Sequence, residues 1–206
     1  MRLLFATLPL LAACAEERTP QPAPTAATLS TTAPMPLPSA TPAPSPTPAA
    51  TALTPQGWGP LRIGMTRAEI EESLGPDADP DAVGGPEPER CDQFRPARAP
   101  ADMIVMVEDG RLTRISLVGD AAVRTARGLK IGSTAAEVRA AYGPALKREP
   151  HEYAVEGQYL THWATGEPRP PRPETARGVR YEIGADGEVT AIHAGGPSIT
   201  YSEGCA

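Results

Sequence analysis

Aromatic side chains make up 4% of this 206-residue chain, and no block of basic residues offsets its net charge of −6. Without a positive footprint for phosphate and with few rings for base stacking, nucleic acid is excluded as a partner. Long apolar runs are also missing. The most hydrophobic stretch, Leu3 to Leu11, is interrupted by Thr7 and Pro9 and is too short to span a bilayer as a mature helix. Cysteine is sparse, with Cys14, Cys91 and Cys205 and no C-x-x-C spacing for a redox pair. No G-x-S-x-G, S-x-x-K or phosphate-loop pattern occurs. Ser116 falls in an expected strand with no base recognisable beside it. Ser133 and Thr134 could draw an anion to a helix start, but a cap already uses those groups. His151, His162 and His193 lack the H-E-x-x-H spacing. Asp77, Asp79 and Asp81 are spaced like a calcium loop, which Pro80, Ala82 and Pro88 spoil, so a solvated loop is expected there. No metal, no cofactor and no catalytic residue is expected.

What is present begins with the amino terminus. Arg2 and the short apolar run have the form of a cleaved export signal over residues 1–13. Leu11-Ala12-Ala13-Cys14 resembles the lipobox of bacterial lipoproteins, in which small residues precede a cysteine that is lipidated and becomes the new terminus. The resemblance implies lipidation of Cys14 with three acyl chains, more than the roughly two lipid signals that stable anchoring needs. It also implies a place in the bacterial envelope, on the periplasmic face of the outer membrane. An ordinary secretory peptide cut after Ala13 is the alternative.

Residues 14–56 then read as a tether. From Thr19 to Pro55 the chain is Ala, Pro, Thr and Ser with little else and no charge. Such a stretch buries too little apolar area to fold, and its prolines remove backbone donors. Extended, it could hold a domain up to roughly 100 Å from a membrane. Residues 57–206 differ. They carry both tryptophans and the alternating apolar runs, and about 150 residues suffice for one core. Cys91 and Cys205 are an even pair in an exported, oxidising setting, so a disulfide is expected between them; two free thiols are the alternative.

The folded part says nearly the same thing twice. "LRIGMTRAEIEESLGP" (61–76) returns as "LKIGSTAAEVRAAYGP" (129–144). In the first copy Thr66 and Glu69 form a capping box, Met65 and Ile70 a hydrophobic staple, and Gly75-Pro76 a stop. The spacing predicts a helix over 67–74. Thr134, Glu137 and Gly143-Pro144 repeat the design. Hairpins follow at Asp109-Gly110 in 103–118 and at Asp186-Gly187 in 179–194. "CDQFRPA" (91–97) and "GQYLTHWA" (157–164) take the first-strand positions, and "SITYSEGC" (198–205) reads as a last strand. The helices are offset by 68 residues and the hairpins by 77, so the second copy is longer, most simply at 166–178. The fold class expected is α+β: a tandem repeat, 57–125 and 126–206, of a short helix followed by an antiparallel meander of about three strands, forming one helix-on-sheet domain.

The pattern G-[MS]-T-x-x-E-[IV]-x-x-x-[LY]-G-P resembles the signature of the small lipoprotein of the outer-membrane β-barrel assembly machinery. It is also similar to the β-lactamase inhibitory proteins, which hold the module twice. The tail Tyr201 to Cys205 is similar to the ending of other exported tandem sequences. The resemblance implies the helix-on-meander fold and a non-catalytic protein-binding module: a hydrolase inhibitor or an accessory to envelope assembly, with an envelope protein as partner. A structural spacer and an enzyme are the alternatives. Two regions are candidate binding surfaces. One is the aromatic segment with Tyr153, Tyr159, His162 and Trp163. The other is the loop carrying Arg169, Arg172 and Arg177, suited to an acidic partner.

Overall fold

A computed structural model of the chain describes residues 51–205. The signal, Cys14 and the tether up to residue 50 lie outside the described residues. Among those described, no helix is long and apolar enough to cross a membrane.

Strand β1 (Gly57–Trp58) and β2 (Leu61–Arg62) form a small antiparallel sheet ahead of helix α1 (Arg67–Leu74). Strands β3 (Cys91–Phe94), β4 (Met103–Glu108) and β5 (Arg111–Leu117) follow. Helix α2 (Ala135–Tyr142) opens the second half, with β6 (Leu146–Pro150), β7 (Gln158–Trp163), β8 (Gly178–Ile183) and β9 (Val189–Gly195). A 3-10 turn, Pro197–Thr200, precedes the tail. The main sheet is antiparallel throughout, in the order β3-β4-β5-β9-β8-β7-β6. The described residues thus form a seven-stranded sheet, a two-stranded sheet and two short helices.

Both helices start and stop where the sequence predicts. Thr66 and Thr134 each accept from the backbone three residues on, while Glu69 and Glu137 reach back to the cap. Those bonds hold both carboxyls below their ordinary range. Ile70, Leu74, Ala135 and Val138 turn inward to one cluster with Val105, Ile115, Leu117, Leu160, Val179, Tyr181 and Ile192. Full burial of a side chain of this size is worth about 1.5–3 kcal/mol. Arg67 ties α1 to the sheet by pairing with Asp92 and lying 4.3 Å over the Phe94 ring.

The first hairpin is a two-residue turn in which Asp109 (φ 47°) and Gly110 (φ 75°) both sit in the left-handed region, matching strand twist. The second is longer: Gly187 donates to Gly184 at 3.1 Å and Gly184 to Glu188 at 2.8 Å. Each helix cap docks on its hairpin through the same pair of bonds. Gly64 donates to Leu112 (2.8 Å) and Leu112 to Met65 (2.7 Å); Gly132 donates to Val189 (2.9 Å) and Val189 to Ser133 (2.8 Å).

Three expectations are corrected. The two halves contribute unequally to the main sheet, three strands from the first and four from the second. The additional strand, β6, escapes notice because Lys-Arg-Glu-Pro shows no apolar alternation; those charges and Pro150 suit an edge. In the first half the corresponding stretch is rich in Asp and Pro and keeps a single bridge, Asp77 to Pro96. Second, the tail is not a strand. Pro197 withholds a ladder donor, and 197–200 coil instead. Third, the folded part begins before residue 57. Leu53 is fully buried and donates to Arg124 at 2.8 Å, so the tether ends earlier than its prolines suggest. Part of the extra length of the second half lies in the Arg/Pro-rich loop: 164–177 joins β7 to β8, where the shorter 95–102 joins β3 to β4; β7 is also longer than β3, and the second hairpin turn longer than the first.

Candidate functional site: a covered polar face and a groove beside the disulfide

Alternate residues of the strands point away from the helices, and on that second face they are polar. Register sets Ser116 opposite His193, His193 opposite Arg180, and Arg180 opposite Thr161. All four are buried. One row over, Glu182 faces Tyr159. Ser116 Oγ lies 2.8 Å from His193 Nδ1, and His193 Nε2 lies 3.1 Å from Glu182 Oε1. The other carboxylate oxygen of Glu182 is 3.9 Å from His151. His151 stacks on Tyr159 at 4.5 Å, and the Arg180 guanidinium covers the same ring at 3.7 Å. Burial lowers the pKa of His193, keeping it neutral at pH 7. Burial works to raise Glu182, but its bond to His193 and the nearby charge of Arg180 act against that and leave it lowered.

The face is closed by the tail. Gly178 makes room for it: a Cβ there would stand 2.8 Å from Ile199 Cδ1. Ile199, Trp163 and Ala176 form a small apolar cluster. Arg114 reaches from β5 to the tail, donating to the carbonyls of Ser198 (3.2 Å) and Tyr201 (3.0 Å) and to Gln93 (3.0 Å). Burial pulls its pKa down to about 10. The disulfide joins Cys91 to Cys205 across a Cα separation of 5.4 Å. From the β6–β7 loop, Tyr153 bonds Glu203 and Glu152 bonds Ser202.

Where tail and loop meet, a groove of about 770 Å³ opens beside the disulfide. Glu87, Arg90, Glu108, Asp109, Glu152 and Glu203 line it, with Tyr153 and Tyr201. Arg90 is already paired with Glu87 at 3.1 Å. Tyr153 (62% exposed), Tyr201 (45%) and Val155 (97%) are the large hydrophobic side chains left exposed among the described residues. The bond to Glu203 pushes the Tyr153 phenol up to about 12, and burial with Glu108 nearby raises Tyr201.

The candidates from the sequence scatter over this architecture. Tyr153 stands in the groove. Tyr159 and Trp163 point to the tail face but are buried at 3% exposure each. His162 points to the helix face, 4.6 Å from the Tyr142 ring, with its pKa lowered by burial. These residues therefore form no common surface patch. Arg169 is exposed, and Arg172 lies 5.6 Å from the Trp163 ring. Arg177 donates to the carbonyls of Glu174 (2.6 Å) and Ala176 (2.8 Å). Sequence reasoning missed Tyr201 and the groove carboxylates, which come from four separate segments. It also missed the Ser116–His193–Glu182 chain, whose members no local spacing connects. Among the described residues, no group of three or more His, Cys, Asp or Glu is gathered for a metal ion.

No protein-family model matches the chain, and no curated protein matches it. Among solved structures it is similar to a DUF4309 family protein (YjgB) from Bacillus subtilis, with 15% identity and a TM-score of 0.43 over 72% of this chain and 90% of that one. A likeness of that degree carries no weight for function.

Proposed function

We propose that the chain is a lipid-anchored bacterial envelope protein acting as a non-catalytic protein-binding module. The lipobox at Cys14 and the charge-free tether support the anchoring and the periplasmic setting. The single observation behind binding is the groove: two exposed tyrosines set among carboxylates, of which only Glu87 has an ion pair among the described residues, beside a disulfide. Amphipathic rings on a rigid frame give contact area at low entropic cost, and carboxylates select a basic partner segment. A polar, tail-covered second face leaves no broad apolar surface for other contacts. We further propose that the fold arose as a tandem repeat. The matched capping boxes, the matched cap-to-hairpin bonds and the antiparallel meeting of β5 with β9 support that origin.

The test is affinity capture from solubilised envelopes with the oxidised mature chain and with Tyr153→Ala/Tyr201→Ala. A protein held by the first and released by the second is expected. Identical captures by both would end the groove's claim and favour a structural spacer.

An enzymatic role has one observation behind it, the Ser116–His193–Glu182 chain at bonding distances. Against it, Ser116 is 3% exposed in mid-strand, where no substrate carbonyl could approach without displacing the tail. Covalent labelling of Ser116 by a fluorophosphonate on the native protein would establish that role; no labelling is expected.

A further inference from the structure

The groove adjoins a hollow that carries both signs of charge. That hollow shares Glu108, Asp109 and Tyr201 with the groove and adds Arg111, Arg172, Glu174 and Arg177. Arg169 lies in the same exposed loop, whose sequence is Glu167-Pro-Arg-Pro-Pro-Arg-Pro173. Among the described residues, Glu108, Asp109, Glu152 and Glu203 form no ion pair within 4 Å, and neither do Arg169, Arg172 and Arg177. The loop arginines and the groove carboxylates are therefore adjacent, with Glu108, Asp109 and Tyr201 common to both hollows.

Adjacent patches of opposite sign are self-complementary under a two-fold rotation. We propose that the occupant of the acidic groove is the Arg/Pro-rich loop of a second copy of this chain, with the reciprocal contact made by the other pair, about an axis near Tyr201. This rests on the binding-module reading of the groove and names its partner. The chemistry is apt on both sides. Guanidinium planes stack on tyrosine faces and bond carboxylates in a fork. Four prolines between residues 168 and 173 reduce the entropy lost when the loop is held. Like charges face each other in the competing arrangements, loop on loop and groove on groove, so charge selects the reciprocal one. A loop in a groove, made twice, is a small interface, so association is weak in free solution. Two chains anchored in one membrane meet at far higher effective concentration.

The mature chain with Cys14→Ser, oxidised, removes lipid-driven association while keeping everything else. Sedimentation velocity over rising protein concentration should show a monomer–dimer equilibrium that weakens with added salt. Arg169→Glu should weaken dimerisation about tenfold or more, the loss of one or two charge-assisted contacts per site. Glu152→Lys/Glu203→Lys should do the same. Arg169 is exposed and unpartnered, so its reversal leaves the fold intact, which circular dichroism checks. An equimolar mixture of the two variants should form heterodimers, because one opposed pair of surfaces is restored. A wild type that stays monomeric throughout, or dimers indifferent to both reversals, would overturn the proposal. So would two reversals that abolish dimers with no recovery on mixing. If the wild type is monomeric while envelope capture still depends on Tyr153 and Tyr201, this inference fails and the binding-module reading stands. If capture too is indifferent to the groove, both fail.

Discussion

The two faces of the main sheet are made by the same strands, residue by alternate residue, yet they are different materials. The face under the helices is aliphatic: Ile115, Leu117, Val179, Ile192 and Leu160 meet Ile70 and Val138 there. The face under the tail holds Arg114, Arg180, Ser116, Thr161 and His193, all buried. The first is stabilised by non-directional burial, in which loss of one methyl group is felt locally. The second depends on directional bonds, whose removal leaves desolvated groups without partners. The apolar face makes the fold stable, and the polar face specifies where the tail goes.

The largest expected difference comes from cutting each face at its centre. Ile115→Ala should cost about 2–5 kcal/mol in denaturant unfolding, through lost burial plus a cavity. Opening the Cys91–Cys205 loop, which closes 114 residues, should cost about 2–5 kcal/mol with Cys91→Ala/Cys205→Ala. Unlike Ile115→Ala, that change should also loosen the tail, seen as faster amide exchange at 198–204. Arg114→Met should come next, at about 1–3 kcal/mol, because three acceptors lose a buried donor. If Arg114→Met instead stabilises the protein, the polar face serves specificity at a cost in stability, as buried charges can.

The faces should also respond differently to acid. His193 has a lowered folded pKa, against about 6.5 when unfolded. The unfolded state therefore binds the proton first, and stability present above about 6.5 is lost as pH falls towards the folded value. Glu182, also lowered, adds a loss in the same direction below its unfolded value near 4.5. Melting temperature should fall between pH 7 and 5, and His193→Gln should flatten that slope while Ile115→Ala leaves it unchanged. The smallest effect expected is at the caps. Thr66→Ala and Thr134→Ala should each cost about 1 kcal/mol by the same measurement, and any change they make in pH dependence should lie in the acid range where Glu69 and Glu137 titrate, not at the His193 step.

The apolar face was legible in the sequence and the polar face was not, for physical reasons. The helices 67–74 and 135–142 were readable because caps, staple and stop lie within one short segment each. Asp109-Gly110 was readable because a two-residue turn needs those conformations locally. The disulfide followed from counting cysteines. Arg114, Arg180 and Glu182, by contrast, alternate with apolar residues in the manner of solvent-facing strand positions. Only the folded chain supplies their partners: Arg114 finds acceptors in the tail 84 and 87 residues away, Arg180 lies over Tyr159, and Glu182 meets His193. The groove is equally non-local, since its tyrosines lie in a loop and a tail that resemble ordinary surface until they meet.

The seam between β5 and β9 imposes an order of events on the growing chain. Ile115 cannot meet Ala194 until α2 and β6 to β8 have been made, so β3, β4 and β5 wait with the β5 edge open and hungry for a partner. Cys91 waits as well, because its mate lies beyond β9. Any strand that reached that edge first, from another chain above all, would occupy it. Pairing across so long a separation is slow by topology, and the interval before β9 arrives is the one in which the β5 edge stands open to another chain.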